Sequence, residues 1–255
     1  MSNAYKEIPV PSGYNIDKGG VFLLVHPDVS DNFRALLNHK VVKNAGANEH
    51  CAIVSVPISN TPTQWSINLS QEYKNILISY WRKLTQPSVK IALEKLSTYK
   101  LSYTKAQTFV RANGMLNFFL RNLDKKCKEN GGSMSSIPMN AMIGIEPARN
   151  ENIEKYPSHC FGYFGGSQEP QDVTIYDTCM REAMEECNII FHESVLDQEY
   201  QTSLRESMKF VPMYVDTQFK DTNLYSRVYV ILLGNDAILV DQGDGKFIEI
   251  GRAHV

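Results

Sequence analysis

No apolar run in this chain approaches the length of a membrane span, and the N-terminal stretch "MSNAYKEIPVPSGYN" has no apolar h-region, so neither a spanning helix nor a secretory leader is expected. Cys51, Cys127, Cys160, Cys179 and Cys187 are odd in number and form no C-x-x-C pair, which argues against a disulfide framework and for reduced, mostly buried thiols in a cytoplasmic protein. His26, His39, His50, His159 and His192 lack metal-ligand spacing, no serine sits in a G-x-S-x-G context, and "NLS" at Asn68 has the glycosylation pattern without a leader to make it relevant. The formal net charge of −2 gives the whole molecule no bias toward nucleic acid or membrane. No internal repeat is evident.

What the chain does have is 255 residues with 43% apolar content, enough for one large domain or for one domain carrying a substantial insertion. It divides into three parts, at 1–64, 65–133 and 134–255. In the first, "GGVFLLVH" (Gly19 to His26), "FRALLNHKVV" (Phe33 to Val42) and "CAIVSVPI" (Cys51 to Ile58) read as strands separated by polar turn material. In the second, Tyr73, Ile76, Leu77, Tyr80, Trp81 and Leu84 form the stripe of an amphipathic helix that Pro87 interrupts. Val89, Ala92, Leu93 and Leu96 restart it, and Phe109, Leu116, Leu120, Leu123 and Cys127 form a third stripe. "ENGGSMSSIP" (Glu129 to Pro138) reads as a linker. In the third part "MNAMIGIE", "HCFGYFGG", "KFVPMYVDT" and "SRVYVILLG" are the candidate strands, around one helix from about Thr174 to Cys187.

That helix carries the strongest chemical signal. "REAMEEC" places Glu182, Glu185 and Glu186 within five residues, where like charges a turn apart destabilise a helix by a few tenths of a kcal/mol, about 0.2–0.5. Ile175, Cys179 and Ala183 recur every four residues and would pack against a sheet, with Arg181, Glu182, Glu185 and Glu186 on the other face. Taken alone, "REAMEE" reads first as a solvated acidic face with Arg181 pairing locally. The Gly165-Gly166 turn and polar loop before it shift the reading toward a site for a hard divalent cation, whose charge would offset the repulsion.

The segment Gly166 to Ile189 resembles the Nudix box, whose pattern is G-x5-E-x7-R-E-U-x-E-E-x-G-U with U a bulky aliphatic residue. Gly166, Arg181-Glu182, Glu185-Glu186 and Ile189 match. Asp172 stands where the family has Glu, eight residues rather than seven separate it from Arg181, and Ala183 and Asn188 replace an aliphatic residue and a glycine. The resemblance implies an α/β/α sandwich with a mixed sheet, an opening hairpin made by "GGVFLLVH" and "FRALLNHKVV", and "HCFGYFGG" leading into the box helix. It implies hydrolysis of a nucleoside diphosphate-linked substrate with Mg²⁺ or Mn²⁺. Carried over, Glu182, Glu185 and Glu186 are metal ligands with the Gly165 carbonyl as a further one. Arg181 ties loop to helix, and a glutamate in the box or on a distal loop is the general base, with Asp241 and Glu249 as distal candidates. A catalytically silent Nudix-type module that binds nucleotides or RNA is the alternative.

The helical block at 65–133 is foreign to a minimal domain of this type; its placement is similar to that in mRNA-decapping members from large DNA viruses, which would act in host cytoplasm. Between Ser66 and Asn130, twelve basic and four acidic residues give +8, while the other fourteen basic and twenty-four acidic residues give −10. With its interleaved aromatics the block reads either as a small helical core with a solvated lysine face or as a surface for the 5′ end of RNA. "IGRAHV" at the end resembles the conceptual translation of a common sequencing-adapter sequence. The natural frame is therefore expected to continue, the last six or seven residues being foreign.

Overall fold

"GGVFLLV" is apolar without alternation, as expected of a strand covered on both faces, and it lies at the centre of the molecule. The computed structural model describes residues 2–6, 8–43, 52–59, 114–145, 161–187, 189–218, 223–241 and 243–251. In it β1 (Asn15–Val25) runs parallel to β8 (Leu224–Leu233) along one edge. Its other edge is shared. Leu23–Val25 pair antiparallel with β3 (Asn140–Ile145), and Lys18–Val21 pair antiparallel with β5 (Phe164–Ser167). The sheet order is β2-β3-β1-β8-β7, with β2 at Ala52–Pro57, β7 at Tyr214–Gln218 and β4 (Phe161–Gly162) added to β3. A smaller sheet orders β10-β9-β6, from Phe247–Glu249, Ile238–Asp241 and Ile189–Phe191. The class is mixed α/β.

Alternate residues of β1 feed two cores. Phe22 and Leu24 face α2 (Gly114–Glu129), which contributes Leu116, Phe119, Leu120, Leu123 and Cys127. Val21, Leu23 and Val25 face α1 (Pro27–Lys43) and α3 (Ile175–Cys187). The third apolar stripe of the sequence is thus part of the main core from Leu116 onward, while Phe109 and the two earlier stripes lie outside the described residues. Cys127, Cys179 and Cys187 are buried free thiols; Cys51 and Cys160 also lie outside them. Two short helices, α4 (Glu193–Leu196) and α5 (Gln198–Leu204), follow β6. Among the described residues no helix is long and apolar enough to cross a membrane.

Three expectations are corrected. "FRALLNHKVV" is not a strand and forms no opening hairpin: it belongs to α1. Val29, Phe33 and Leu37 are buried at intervals of four, a helical repeat that a bare apolar count mistakes for a strand, and Pro27 sits in the first helical position with its fixed φ. "KFVPMYVDT" becomes a strand only from Tyr214, because Glu206–Met208 form a 3-10 turn that carries the chain to it. "HCFGYFGG" is two strands broken at Tyr163, its first two residues being outside the described set. Of the C-terminal string, Ile250 is buried in the second core and 252–255 lie outside the described residues.

In the β1–β5 pair glycines face each other, Gly19 opposite Gly166 and Gly20 opposite Gly165. A Cβ on Gly165 would lie 2.6 Å from the Gly19 carbonyl oxygen and 2.8 Å from the Gly20 Cα, backbone atoms that cannot swing aside. Gly165→Ala is therefore expected to lower the unfolding free energy by about 1–3 kcal/mol, read as a lower urea midpoint at unchanged slope.

Candidate functional site

The loop from Ser167 to Thr174 joins β5 to α3, and its end is fixed by a reciprocal cap. The Thr174 N–H and Oγ1 donate to Asp177 Oδ2 at 2.7 and 2.9 Å, and the Asp177 N–H donates to Thr174 Oγ1 at 3.2 Å. From there Ile175, Cys179 and Ala183 are buried at four-residue intervals against the sheet, as their spacing predicts, and Cys187 continues the row. α3 sits close to β1 because Gly19 has no side chain: a Cβ there would come within 2.8 Å of Cys179 Sγ and 3.1 Å of Thr178 Cβ.

Arg181 is the centre of the polar face. Its Nε and Nη2 donate to Asp172, the shortest bond being 2.8 Å from Nη2 to Oδ2, and Nη2 also donates to the Ser167 carbonyl at 2.9 Å. Nη1 donates to Glu182 Oε1 at 2.9 Å and to Glu185 Oε2 at 3.2 Å, and stands 3.7 Å from Glu169 Oε1. One guanidinium therefore joins the loop to two carboxylates of the helix. The Arg181 bonds hold the Asp172 carboxyl below its usual value, and these partners in turn hold Arg181 protonated. Glu169 and the Ser167 carbonyl are not singled out by the sequence pattern; the polar run "SQEPQD" is the available signal.

Glu186 differs from its expected position. It is not on the solvent face but 4% exposed, and its Oε2 accepts a 2.8 Å bond from the Gly165 N–H. Gly165 thus meets the carboxylate group through its amide. Glu182 leans over Gly166, where a Cβ would collide with the Glu182 carboxylate. Burial, reinforced by Glu186 and Glu185 and opposed by Arg181, pushes the Glu182 carboxyl up to about 7. Glu185 is the exposed member of the set, its side chain 53% accessible. Asp241 lies on β9 opposite Ile189, and Glu249 on β10 opposite Ile238.

The donor chemistry fits a hard cation: three carboxylates lie within one and a half turns, and burial with the neighbouring charges favours a proton on Glu182. In the present arrangement Arg181 takes up Glu182 and Glu185 while Gly165 takes up Glu186. Among the described residues no three His, Cys, Asp or Glu side chains are already gathered as a metal cluster. No family model, curated protein or solved structure matches the chain, so the resemblance rests on the residues of 166–189 themselves.

A carboxyl whose folded value lies above its unfolded one holds its proton better in the folded state. The contribution of Glu182 to stability is thus greatest at low pH and is lost as pH rises from about 4.5 to about 7. In cation-free buffer Glu182→Gln is expected to stabilise the protein above that range by about 1–3 kcal/mol, with the gain shrinking as pH falls through it. Thermal melts across pH with a chelator present measure this; a loss of stability at high pH would contradict it.

Proposed function

We propose that the chain is a Nudix-type hydrolase that cleaves a pyrophosphate bond in a nucleoside diphosphate-linked substrate. The observation that carries this reading is that Glu182, Glu185 and Glu186 stand within about one turn of α3 beside the β5 glycines, with Glu182 and Glu185 bound by Arg181 and Glu186 by the Gly165 amide. Those three glutamates would hold Mg²⁺ or Mn²⁺, which when bound supplies charge neutralisation for the pyrophosphate and a more acidic water. Arg181 and Asp172 fix the loop against the helix. The Gly165 amide orients Glu186, so that one carboxylate is preset before substrate arrives. A specific observation favours a second reading, a catalytically silent nucleotide- or RNA-binding module: Arg181 itself neutralises Glu182 and Glu185 without any cation.

The two readings separate on conservative variants. Glu185→Gln and Glu186→Gln keep shape and a hydrogen-bond acceptor, and the amide oxygen introduced by Glu186→Gln would still accept from the Gly165 N–H. Each is expected to lower Mg²⁺-dependent turnover by about a hundredfold or more with little change in melting temperature. Activity near that of the unchanged protein in either would remove that residue from the ligand set. A screen over capped RNA, ADP-ribose, dinucleoside polyphosphates and nucleoside triphosphates identifies the substrate.

Within this reading we infer that the substrate is the 5′ end of RNA. The +8 charge of residues 66–130 against −10 elsewhere supports it. So does the α2 surface, where Phe118 is 42% exposed one turn before the exposed Arg121. Because α2 is built into the core, point changes test this better than removal of the block. Arg121→Ala is expected to weaken RNA binding and reduce the slope of log affinity on log salt by about 1. Efficient hydrolysis of ADP-ribose or a free dinucleotide by a chain that shows no salt-dependent RNA binding would overturn the RNA assignment.

A further inference from the structure

Past Tyr214 and Tyr229, where the pairing of β7 with β8 ends, the edge of β8 is completed by side chains. Gln201 of α5 serves Leu232 as a neighbouring strand would. Its Nε2 donates to the Leu232 carbonyl at 2.8 Å and its Oε1 accepts from the Leu232 N–H at 3.2 Å. The Val230 carbonyl is met by Tyr5, which is fully buried. The Tyr5 hydroxyl stands 2.7 Å from Gln201 Oε1 and 2.9 Å from the Val230 carbonyl, donates to one of them at a time, and accepts from Arg205 Nη2 at 3.3 Å. Gln201 and Arg205 are themselves buried, so the hydroxyl completes a polar network that water does not reach.

The residues before Tyr5 are fastened to the same place. The Ala4 N–H donates to the Leu196 carbonyl at 2.8 Å and the Gln198 N–H donates to the Ser2 carbonyl at 2.9 Å, an antiparallel bridge between Asn3 and Asp197 at the α4–α5 junction. Asn3 Nδ2 donates at 2.8 Å to the Tyr176 hydroxyl on the first turn of α3. The Tyr229 ring lies 5.2 Å from that of Tyr5 and 6.2 Å from that of Tyr176. Every one of these hydrogen-bond partners is at least 173 residues away along the chain. The local bonds of the segment are internal to it: Asn3 Oδ1 accepts from the Tyr5 N–H at 3.0 Å and from the Lys6 N–H at 3.3 Å, which holds the segment in its bound shape. Further on, Arg227 Nη1 and Nη2 donate to the Ile8 and Pro9 carbonyls at 2.7 and 3.0 Å, and Pro11, Ser12 and Gly13 are exposed.

We propose that residues 2–5 are a peptide ligand held in cis. The site formed by α3, the α4–α5 junction and the edge of β8 takes an extended peptide with asparagine two residues before tyrosine, and its occupancy holds the first turn of α3. The backbone bridge supplies attachment without regard to sequence, as in strand addition, whereas the asparagine amide and the tyrosine hydroxyl supply the selection. The exposed tether makes binding intramolecular and keeps the site filled.

A protease site inserted between the exposed Ser12 and Gly13 lets the full chain fold before it is cut. The cut chain is expected to keep residues 1–12 through gel filtration and to exchange them for a labelled synthetic peptide of that sequence. Asn3→Ala or Tyr5→Phe in the peptide is expected to weaken capture by about tenfold each, the loss of one hydrogen-bonding group. Amide hydrogen exchange at 174–178 and 196–201 is expected to quicken in a cut chain that has lost the segment and to slow again when the peptide is added. In the uncut chain Asn3→Ala is expected to quicken exchange at 174–178 in the same sense. All these readouts are independent of hydrolysis. The proposal is overturned if a peptide carrying both changes is captured as tightly as the unchanged one, or if exchange at 174–178 is the same with the site filled and empty and in uncut Asn3→Ala. It is also overturned if the cut chain never exchanges the segment, or having lost it is not restored by the peptide, since residues 2–5 would then be ordinary core.

Discussion

The constraint on which the rest of the structure depends is the absence of side chains where β1, β5 and α3 meet. Gly19 admits Cys179 and Thr178 of the helix, and Gly166 admits the carboxylate of Glu182. Gly165 and Gly20 let the two strands run flush in register. A methyl group on Gly20 or Gly165 would meet cross-strand backbone, and one on Gly19 would meet Cys179 and Thr178 of the helix, whereas one on Gly166 would displace the Glu182 carboxylate. Across this junction the Gly165 amide donates to Glu186 at 2.8 Å. The packing requirement and the site are the same contact seen from two sides.

Crowded carboxylates then need a counter-charge, and Arg181 provides it at a cost in desolvation. Its side chain is 11% exposed and that of Asp172 is 3% exposed, so neither ion is compensated by water. Such a pair holds only when its hydrogen bonds are nearly complete, and here the guanidinium has carboxylates on both the loop and the helix and a carbonyl besides. Glu182, with less solvent than Glu185, is pushed up to about 7, chiefly by burial and to a lesser degree by the charges of Glu186 and Glu185. If these carboxylates do take a cation, as proposed, its binding would be coupled to release of the Glu182 proton.

The part of this arrangement legible in the sequence is the part with a period. Ile175, Cys179 and Ala183 announce α3, and its three glutamates mark the candidate site. "GGVFLLV" and "SRVYVILL" announce the two central strands. α1 is hidden when "FRALLNHKVV" is weighed by apolar content, although Val29, Phe33 and Leu37 stand four apart. The burial of Glu186 has no signal of its own: its partner is a backbone amide, and no residue type marks that position. The same holds for Arg181, whose reach to Ser167 depends on a loop path that spacing alone does not define. The blocks from 60 to 113 and 146 to 160 lie outside the described residues, so the first two helical stripes stay a sequence reading.

α2 and α3 lie on opposite faces of the sheet, since Phe22 and Leu24 pack under one and Val21 and Leu23 under the other. Phe118 and Arg121 are therefore separated from Glu182 and Glu185 by a full layer of sheet and two helix packings, each of about 10 Å. A mononucleotide or ADP-ribose cannot touch both. A flexible polyanion can, by running around the edge of the sheet, and only such a ligand would couple a change at Arg121 to turnover at the carboxylates. Under the proposed hydrolase reading, a role for the basic surface of α2 requires a chain as substrate; without such a role the charge of α2 concerns its own solvation. Geometry thus ties the size of the substrate to whether the two faces act together.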